Sequence, residues 1–360
     1  MNGRALLPYD HPTTVVIVDD NDWFLHTLDL RMPADMSYLS FHDARAALEH
    51  LNKPSALPPI PERCFSSSGS ASGWKDPVVE LDLTLIEQEI KHAERFMRTS
   101  VVVVDYAMPE MNGLEFCREI GDRTIKRVLL TGVADEKLAV QAFNDGIIDR
   151  FLPKNGDGAL DLVVRFAREL QHKYFLEQQK AFEDSLRMDP PQFLGDPAIA
   201  AHFAALRDEI GFVEHYLVGD PPGFIFVTPS GELFRLIVLS ERDAQAQTEY
   251  AERAGAPCDI VEALGARERI GYFFDDPESV GEERLPWSDY VHDATSIVGR
   301  EHWLTALVRD PPIDVDYSRE HASFQSHLDR IDALRERLRN RPMTHRPEAT
   351  PRPATGASRG

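Results

Sequence analysis

The sequence lacks the features that mark secreted, zinc-binding or membrane-spanning proteins. Its 360 residues include only 3 cysteines, which are far apart and form no CxxC or Cys/His cluster. A disulfide framework and a zinc site are therefore not expected. No apolar run approaches the roughly 20 residues of a membrane span, and residues 1–12 make a poor signal peptide because they carry prolines and charges. These absences favour a cytoplasmic protein with reduced thiols and no membrane insertion.

Positive charge is also scarce. The formal net charge is −21 at pH 7, from 60 Asp and Glu against 39 Lys and Arg. Residues 191–339 contain no lysine at all and fewer arginines than acidic residues. Because proteins that hold nucleic acid by electrostatics need clustered Lys and Arg, this composition argues against nucleic-acid binding.

The length suits two domains, and the first half alternates short apolar strands with helical patterns. Runs of β-branched residues and Leu favour strands, and those with no polar alternation indicate burial on both faces. Five strands separated by helices predict an α/β fold with a doubly wound, five-stranded parallel sheet. The predicted strands are Thr14–Val18, Ser37–Phe41, Val101–Val104, Arg127–Leu130 and Arg150–Pro153.

Residues 53–98 interrupt this alternation ahead of the central strand. Segment 53–74 is rich in proline and holds a run of serines, a composition typical of loops. Segment 81–97 has the apolar spacing of an amphipathic helix. Two interpretations stay open for this insertion: a surface loop with one docked helix, or an element that binds a partner or a second copy of the chain.

Polar side chains follow four of the five predicted strands. Asp19 and Asp20 follow the first, Asp105 follows the central one, and Thr131 and Lys154 follow the last two. The carboxyl ends of strands in such a sheet gather at one edge, where ligands bind. Three carboxylates placed together repel one another unless a cation neutralises them, and hard oxygen ligands suit Mg²⁺. The sequence therefore predicts a magnesium site at this edge, with Lys154 as a permanent positive charge.

Such a cluster can hold a metal ion and an incoming phosphoryl group together. Asp105 would attack phosphorus as a nucleophile and form an acyl phosphate. The metal ion and Lys154 would spread the charge of the transferring group, and the Thr131 hydroxyl would bond a phosphoryl oxygen.

Four segments occur in order at strand ends: VVIVDD, VVVVDYAMPEMNG, LLTG and FLPK. Together they resemble the receiver domain of two-component response regulators, over about 1–158 apart from the insertion. The resemblance implies that Asp105 is the phosphoacceptor, that a sensor histidine kinase donates the phosphoryl group, and that Thr131 and Lys154 bind it. It also implies that Phe151 is the switch aromatic, with an ordinary half-buried ring as the alternative.

The resemblance further implies the metal ligands. Asp20 would coordinate Mg²⁺ directly and Asp19 through water, with Asp105 and the backbone carbonyl of Ala107 completing the set. The chain departs from the family at Asn155, where proline usually follows the lysine, and this leaves the local turn open. Ala107 also stands where a polar side chain could contact a hydrolytic water, so the lifetime of the acyl phosphate stays open.

The second half gives less specific signals. Residues 159–190 hold one long predicted helix, Ala159–Arg187, with a coiled-coil-like apolar stripe. It either pairs with its mate in a dimer or folds back as a spacer. Residues 191–339 predict a smaller α+β output domain, whose hairpin (223–227 and 233–239) with following helices is similar to PAS-type sensors. Residues 340–360 read as a disordered tail.

The sequence therefore predicts a response regulator that signals through a protein-interaction output domain, with a phosphorylation-dependent homodimer as one outcome. No enzymatic activity is expected beyond phosphorylation and dephosphorylation of the receiver itself. Two alternatives stay open for the output half: nucleic-acid binding, or a role as a small-ligand sensor or enzyme. The sequence identifies neither the cognate kinase nor the output partner.

Overall fold

The computed structural model describes residues 6–54, 58–68, 78–81, 83–132, 136–154, 158–186, 191–273, 287–313 and 315–339. Asn155 and the predicted tail 340–360 lie outside the described residues. The strands are β1 (Tyr9–Asp10), β2 (Thr14–Val18), β3 (Tyr38–Phe41), β4 (Phe65–Ser68), β5 (Val78–Leu81), β6 (Thr99–Asp105), β7 (Lys126–Thr131), β8 (Arg150–Pro153), β9 (Glu214–Val218), β10 (Gly223–Val227), β11 (Leu233–Ser240), β12 (Arg269–Gly271), β13 (Val291–Asp293), β14 (Thr295–Val298) and β15 (His302–Arg309).

Twelve α-helices occur in the same part of the chain. They are α1 (Asp22–Asp29), α2 (Ala44–Leu51), α3 (Ile60–Cys64), α4 (Leu83–Glu87), α5 (Gly113–Glu119), α6 (Glu136–Asn144), α7 (Ala159–Leu186), α8 (Pro197–Ile210), α9 (Glu241–Arg253), α10 (Cys258–Gly265), α11 (Arg319–Ala322) and α12 (Phe324–Arg339). Within the described ranges, no helix is both long enough and apolar enough to span a bilayer.

The predicted doubly wound parallel sheet is confirmed. Its strand order is β3-β2-β6-β7-β8, and all its pairings are parallel. Helices α1 and α7 cover one face of the sheet, while α2, α5 and α6 cover the other. Because both faces are covered, every residue of β2 is buried, which explains why this strand shows no polar alternation.

The long helix α7 folds back on its own chain. Val163, Ala167 and Leu170, on the apolar stripe, pack against the parallel sheet. One turn further on, Tyr174 and Phe175 enter a different core, formed with the C-terminal half. Of the two interpretations of this stripe, folding back is the one found between residues 163 and 175, where these side chains are buried within the chain.

The prediction of one helix over 81–97 is wrong. Helix α4 ends at Glu87, and two short 3-10 helices, Gln88–Lys91 and Ala93–Met97, follow it. The cause is the buried side chain of Arg95, whose Nη1 donates to the carbonyl oxygens of Ile90 and His92 at 2.9 Å each. These carbonyls face the guanidinium, so the segment bends around it.

The second half contains a six-stranded antiparallel sheet with the order β1-β9-β10-β11-β15-β14, and helices pack against it. The predicted α+β class and the hairpin of β10 and β11 are both found. The apolar spacing of residues 198–217 predicts one helix, but α8 ends at Ile210, because Gly211 adopts a left-handed conformation (φ 71°) that stops it. Residues 214–218 are instead the strand β9.

Segments near both ends of the described chain connect its two halves. Strand β1, which the sequence placed with the receiver, pairs with β9 of the second sheet, Tyr9 opposite Tyr216. Helix α12, from the second half, packs against the parallel-sheet half, where Ile331 is 1% exposed and belongs to the core. His327 Nε2 lies 2.8 Å from Ser37 Oγ, beside β3. The receiver core is therefore completed by the C-terminal helix.

We expect Ile331→Ala to lower the free energy of unfolding by about 2–4 kcal/mol, because it removes buried methyl groups and leaves a cavity. Glu336→Ala, at an exposed position of the same helix, is the matched control and should change stability little. Urea denaturation of the full chain measures both variants. Equal stabilities would show that α12 does not complete the receiver core.

Candidate functional site

The carboxyl ends of β2 and β6 bring three aspartates together. Carboxylate oxygens of Asp19, Asp20 and Asp105 lie within 4.8 Å of one another. Asp19 and Asp105 are buried, whereas Asp20 is exposed. The parallel register explains this placement, because Val18 lies opposite Val104 and the aspartates follow both strands.

Lys154, at the end of β8, reaches across the same edge. Its Nζ lies 2.8 Å from Asp19 Oδ2 and 3.0 Å from Asp105 Oδ2. Its backbone N–H donates to the Thr131 carbonyl at 2.9 Å, which anchors the start of the following loop to β7. One ammonium group therefore bridges two of the three carboxylates.

Burial and charge act in opposite directions on this pair. Burial raises the pKa of the Asp19 carboxyl and the charge of Asp105 adds to the rise, although the hydrogen bond from Lys154 opposes it. Burial alone would lower the pKa of Lys154, but hydrogen bonds to Asp19 and Asp105 outweigh it and raise that pKa above its ordinary value. Lys154 therefore keeps its positive charge at neutral pH.

Of the other predicted site residues, Thr131 and Ala107 lie at the same edge, and Phe151 lies within β8, opposite Leu129. Thr131 ends β7 next to the residue that pairs with Asp105, and its side chain is buried, with Oγ1 donating to the Leu152 carbonyl at 3.3 Å. Phe151 is half-buried, and its ring centroid lies 6.5 Å from that of Phe143. Ala107 lies in the exposed loop two residues after Asp105.

The loop after Asp105 is fixed by local hydrogen bonds. The backbone N–H of Gly113 donates to the Tyr106 carbonyl at 2.9 Å, and Asn112 caps α5 by a capping box with Glu115. A Cβ atom on Gly113 would lie 2.5 Å from the Asp105 carbonyl oxygen. Glycine therefore lets α5 approach the strand end that carries Asp105.

Sequence reasoning missed two neighbours of the site. Asn21 donates its backbone N–H to Asp19 Oδ1 at 2.8 Å, and its side chain caps α1 by accepting from the N–H of Phe24. The ring centroid of Phe24 lies 5.0 Å from Lys154 Nζ. An asparagine just before a predicted helix is a cap signal that could have identified Asn21. The Phe24 contact depends on tertiary packing.

The donor set fits a hard divalent cation. Three carboxylates supply only oxygen ligands, and no His or Cys joins the cluster within the residues that the structure describes. Hard cations such as Mg²⁺ prefer this chemistry, whereas softer metals favour nitrogen or sulfur. Among the described residues, Lys154 is the cation that pairs with this cluster, so the three carboxylates keep a net negative charge.

Comparisons with known proteins identify the family of the chain. The family model of the response regulator receiver domain matches residues 83–163. The structure of the Legionella pneumophila response regulator LqsR is similar with a TM-score of 0.70 and 30% sequence identity, covering 92% of this chain and 99% of LqsR. The chain belongs to the response regulator family. Because the alignment covers nearly all of LqsR, the likeness of this response regulator extends beyond its receiver domain.

A curated relative matches over a shorter stretch. The transcriptional regulatory protein FixJ of Rhizobium meliloti (strain 1021) is 38% identical over 91 residues, which is 25% of this chain and 43% of FixJ. The matched stretch of this response regulator therefore spans less than half the length of FixJ. Transcriptional regulation, the activity in the name of FixJ, is stated of FixJ and not of this chain.

We expect Lys154→Met to lower the free energy of unfolding by about 1–3 kcal/mol at pH 7, because two buried carboxylates lose their cation. The deficit should shrink as the pH falls, since protonated carboxyls no longer need a positive partner. Lys137→Met, at an exposed position of α6, is the matched control. Urea denaturation at pH 7 and pH 5 measures the difference, and a deficit that is the same at both pH values would contradict the ion-pair account.

Proposed function

We propose that Asp105 accepts a phosphoryl group from the phosphohistidine of a sensor histidine kinase. The observation that supports this proposal most directly is the pairing of the Asp105 carboxylate with Lys154 at 3.0 Å, next to two further carboxylates. A nucleophile, a fixed positive charge and a set of metal ligands then share one edge of the sheet. Because such a kinase acts in the cytoplasm, the proposal includes a cytoplasmic location.

The proposed transfer conserves atoms and charge. A carboxylate oxygen of Asp105 forms the new P–O bond while the P–N bond to the donor imidazole breaks. The electron pair of the broken bond stays on the imidazole nitrogen, which takes up a proton. The Lys154 ammonium remains protonated and stabilises the negative oxygens of the transferring group. The Thr131 hydroxyl would leave the Leu152 carbonyl and bond a phosphoryl oxygen.

We further propose that Mg²⁺ is the cofactor, held by Asp19, Asp20, Asp105 and the backbone carbonyl of Ala107. When bound, the ion reduces the repulsion between these carboxylates and the phosphoryl oxygens. The buried Asp19 is already held by Lys154 and by the N–H of Asn21, so it is oriented before the ion arrives.

For the second half we propose signalling by protein binding, with a phosphorylation-dependent homodimer as one readout. No enzymatic activity beyond phosphorylation and dephosphorylation of Asp105 is part of this proposal. The acidic composition of residues 191–339 supports a protein partner over nucleic acid. A gel-shift titration at several salt concentrations tests this preference, and salt-sensitive binding of DNA or RNA would contradict it.

The phosphoacceptor is tested with Asp105→Asn, which keeps the shape of the side chain and removes its nucleophilic charge. Incubation with acetyl phosphate and Mg²⁺ should add one phosphoryl group to the wild type and none to Asp105→Asn. Asp145→Asn, at an exposed position between α6 and β8, is the matched control and should be modified like the wild type.

Intact-protein mass spectrometry measures the modification, and size-exclusion chromatography of the same samples measures any change in assembly. A phosphoryl group on the Asp105→Asn variant would show that another residue is the acceptor. A change in elution that is equal in Asp105→Asn would remove Asp105 from control of assembly.

Metal binding is tested by thermal unfolding. We expect Mg²⁺ to raise the melting temperature of the wild type and a chelator to reverse this, because the ion binds only the folded carboxylate cluster. At about 100 times its Kd the ion should add about 2.7 kcal/mol of stability. Asp20→Asn should lose most of the effect, whereas Asp145→Asn should retain it. An equal shift in Asp20→Asn would place the bound ion elsewhere.

A further inference from the structure

A cleft lies between the two halves of the chain, away from the acidic site. Its volume is about 360 Å³, and its walls come from the loop before β3, from α7, and from the segment joining α8 to β9. Pockets of a few hundred Å³ at domain interfaces are common positions for small ligands. The cleft lies at the amino ends of β2 and β3, so it faces away from Asp105.

The cleft combines buried apolar walls with the exposed guanidinium of Arg207. Phe175, Phe212 and Phe324 line it and are almost fully buried. Arg207 also lines it, and its guanidinium carbon lies 5.1 Å from the Phe212 ring centroid and 5.4 Å from that of Phe203. These aromatic faces hold the guanidinium plane in position without using its N–H donors.

The described residues form no direct ion pair with Arg207. In the described part of the chain, its side chain donates no hydrogen bond, and no carboxylate oxygen lies within 4.0 Å of it. Its charge acts at longer range instead: after burial, it is the largest influence on the pKa of Asp10, which it lowers, and on that of His215. The guanidinium therefore presents unused donors to the cleft.

The other polar groups of the cleft are already satisfied or close to neutral. Arg168 pairs with Asp35 at 2.7 Å, and the Gln171 amide donates to Thr13. Burial raises the pKa of Asp10 to about 7, so its carboxyl is in part protonated at neutral pH and can itself donate. Arg207 is thus the side chain of this lining best suited to bind an added negative charge.

We propose that this cleft binds a small organic anion, whose carboxylate or phosphate group pairs with Arg207 and whose apolar body packs against Phe175 and Phe212. A guanidinium binds either group by two parallel hydrogen bonds. Because the walls belong to both halves of the chain, the bound anion would stabilise their present arrangement. The inference goes beyond the proposed phosphotransfer and does not depend on Asp105.

The test is isothermal titration calorimetry on the full chain with four probes: 3-phenylpropionate, phenyl phosphate, neutral 3-phenylpropan-1-ol and inorganic phosphate. We expect at least one of the two organic anions to bind. The alcohol should bind at least about tenfold more weakly because it loses the charge-assisted hydrogen bond, and inorganic phosphate at least about tenfold more weakly because it lacks the apolar body. Which organic anion binds more tightly identifies the head group as carboxylate or phosphate.

Two arginine variants locate the site. Arg207→Gln should weaken binding of the organic anion about tenfold or more, and Arg207→Lys, which keeps charge but loses the planar fork, should fall between it and the wild type. Arg242→Gln, an exposed arginine on α9, is the matched control and should bind like the wild type. Urea denaturation confirms that each variant is folded, which the exposure of Arg207 favours.

Asp105→Asn should bind the anion as tightly as the wild type, so failure of phosphotransfer and failure of this inference are separate results. The inference is overturned if neither organic anion binds the wild type at millimolar concentration. It is equally overturned if Arg207→Gln binds as tightly as the wild type, or if the alcohol binds as tightly as the propionate.

Discussion

The mutual repulsion of three carboxylates is the constraint around which the receiver half is built. Parallel pairing of β2 with β6 forces Asp19, Asp20 and Asp105 to one edge, and the covering helices bury two of them. Burial makes their charges costly, so a cation must be brought to the same point. The chain delivers Lys154 from the end of β8, on the far side of β7 from Asp105. The edge therefore retains a net negative charge, which the proposed metal ion would reduce before a phosphoryl group could approach.

The receiver half is not structurally independent of the second half. Ile331 from α12 completes its core, and strand β1, which precedes the receiver sheet in the chain, pairs with β9 of the second sheet. Helix α7 belongs to both cores, with Leu170 in one and Tyr174 in the next. A ligand or a modification can shift a conformational equilibrium only by its differential affinity for the two states. Helix α12, strand β1 and helix α7 are the contacts through which such a shift at the receiver would have to reach the second half.

The parts that could be predicted from sequence are those whose signals are local. Unbroken apolar strands that end in Asp or Lys determine both the sheet and its acidic edge, because strand direction and pairing bring those ends together. The pairing of Tyr9 with Tyr216 has no local signal, since the partner lies in the other half of the chain. Arg95 misled the prediction for a similar reason. A charged residue within an apolar helical pattern normally faces solvent, but this one is buried against Glu214, at 2.7 and 2.9 Å.

Charged groups in this chain fall into two classes, according to whether the described residues neutralise them. Arg95 has a bidentate carboxylate partner in Glu214 and also donates to backbone carbonyls, so its donors are satisfied within the fold. Its role is to bend the insertion and attach it to the second sheet. Unneutralised charge on the buried Asp19 and Asp105 costs stability, and a bound cation would reduce that cost. The exposed guanidinium of Arg207 carries no such cost, and the proposed anion would replace water as its partner.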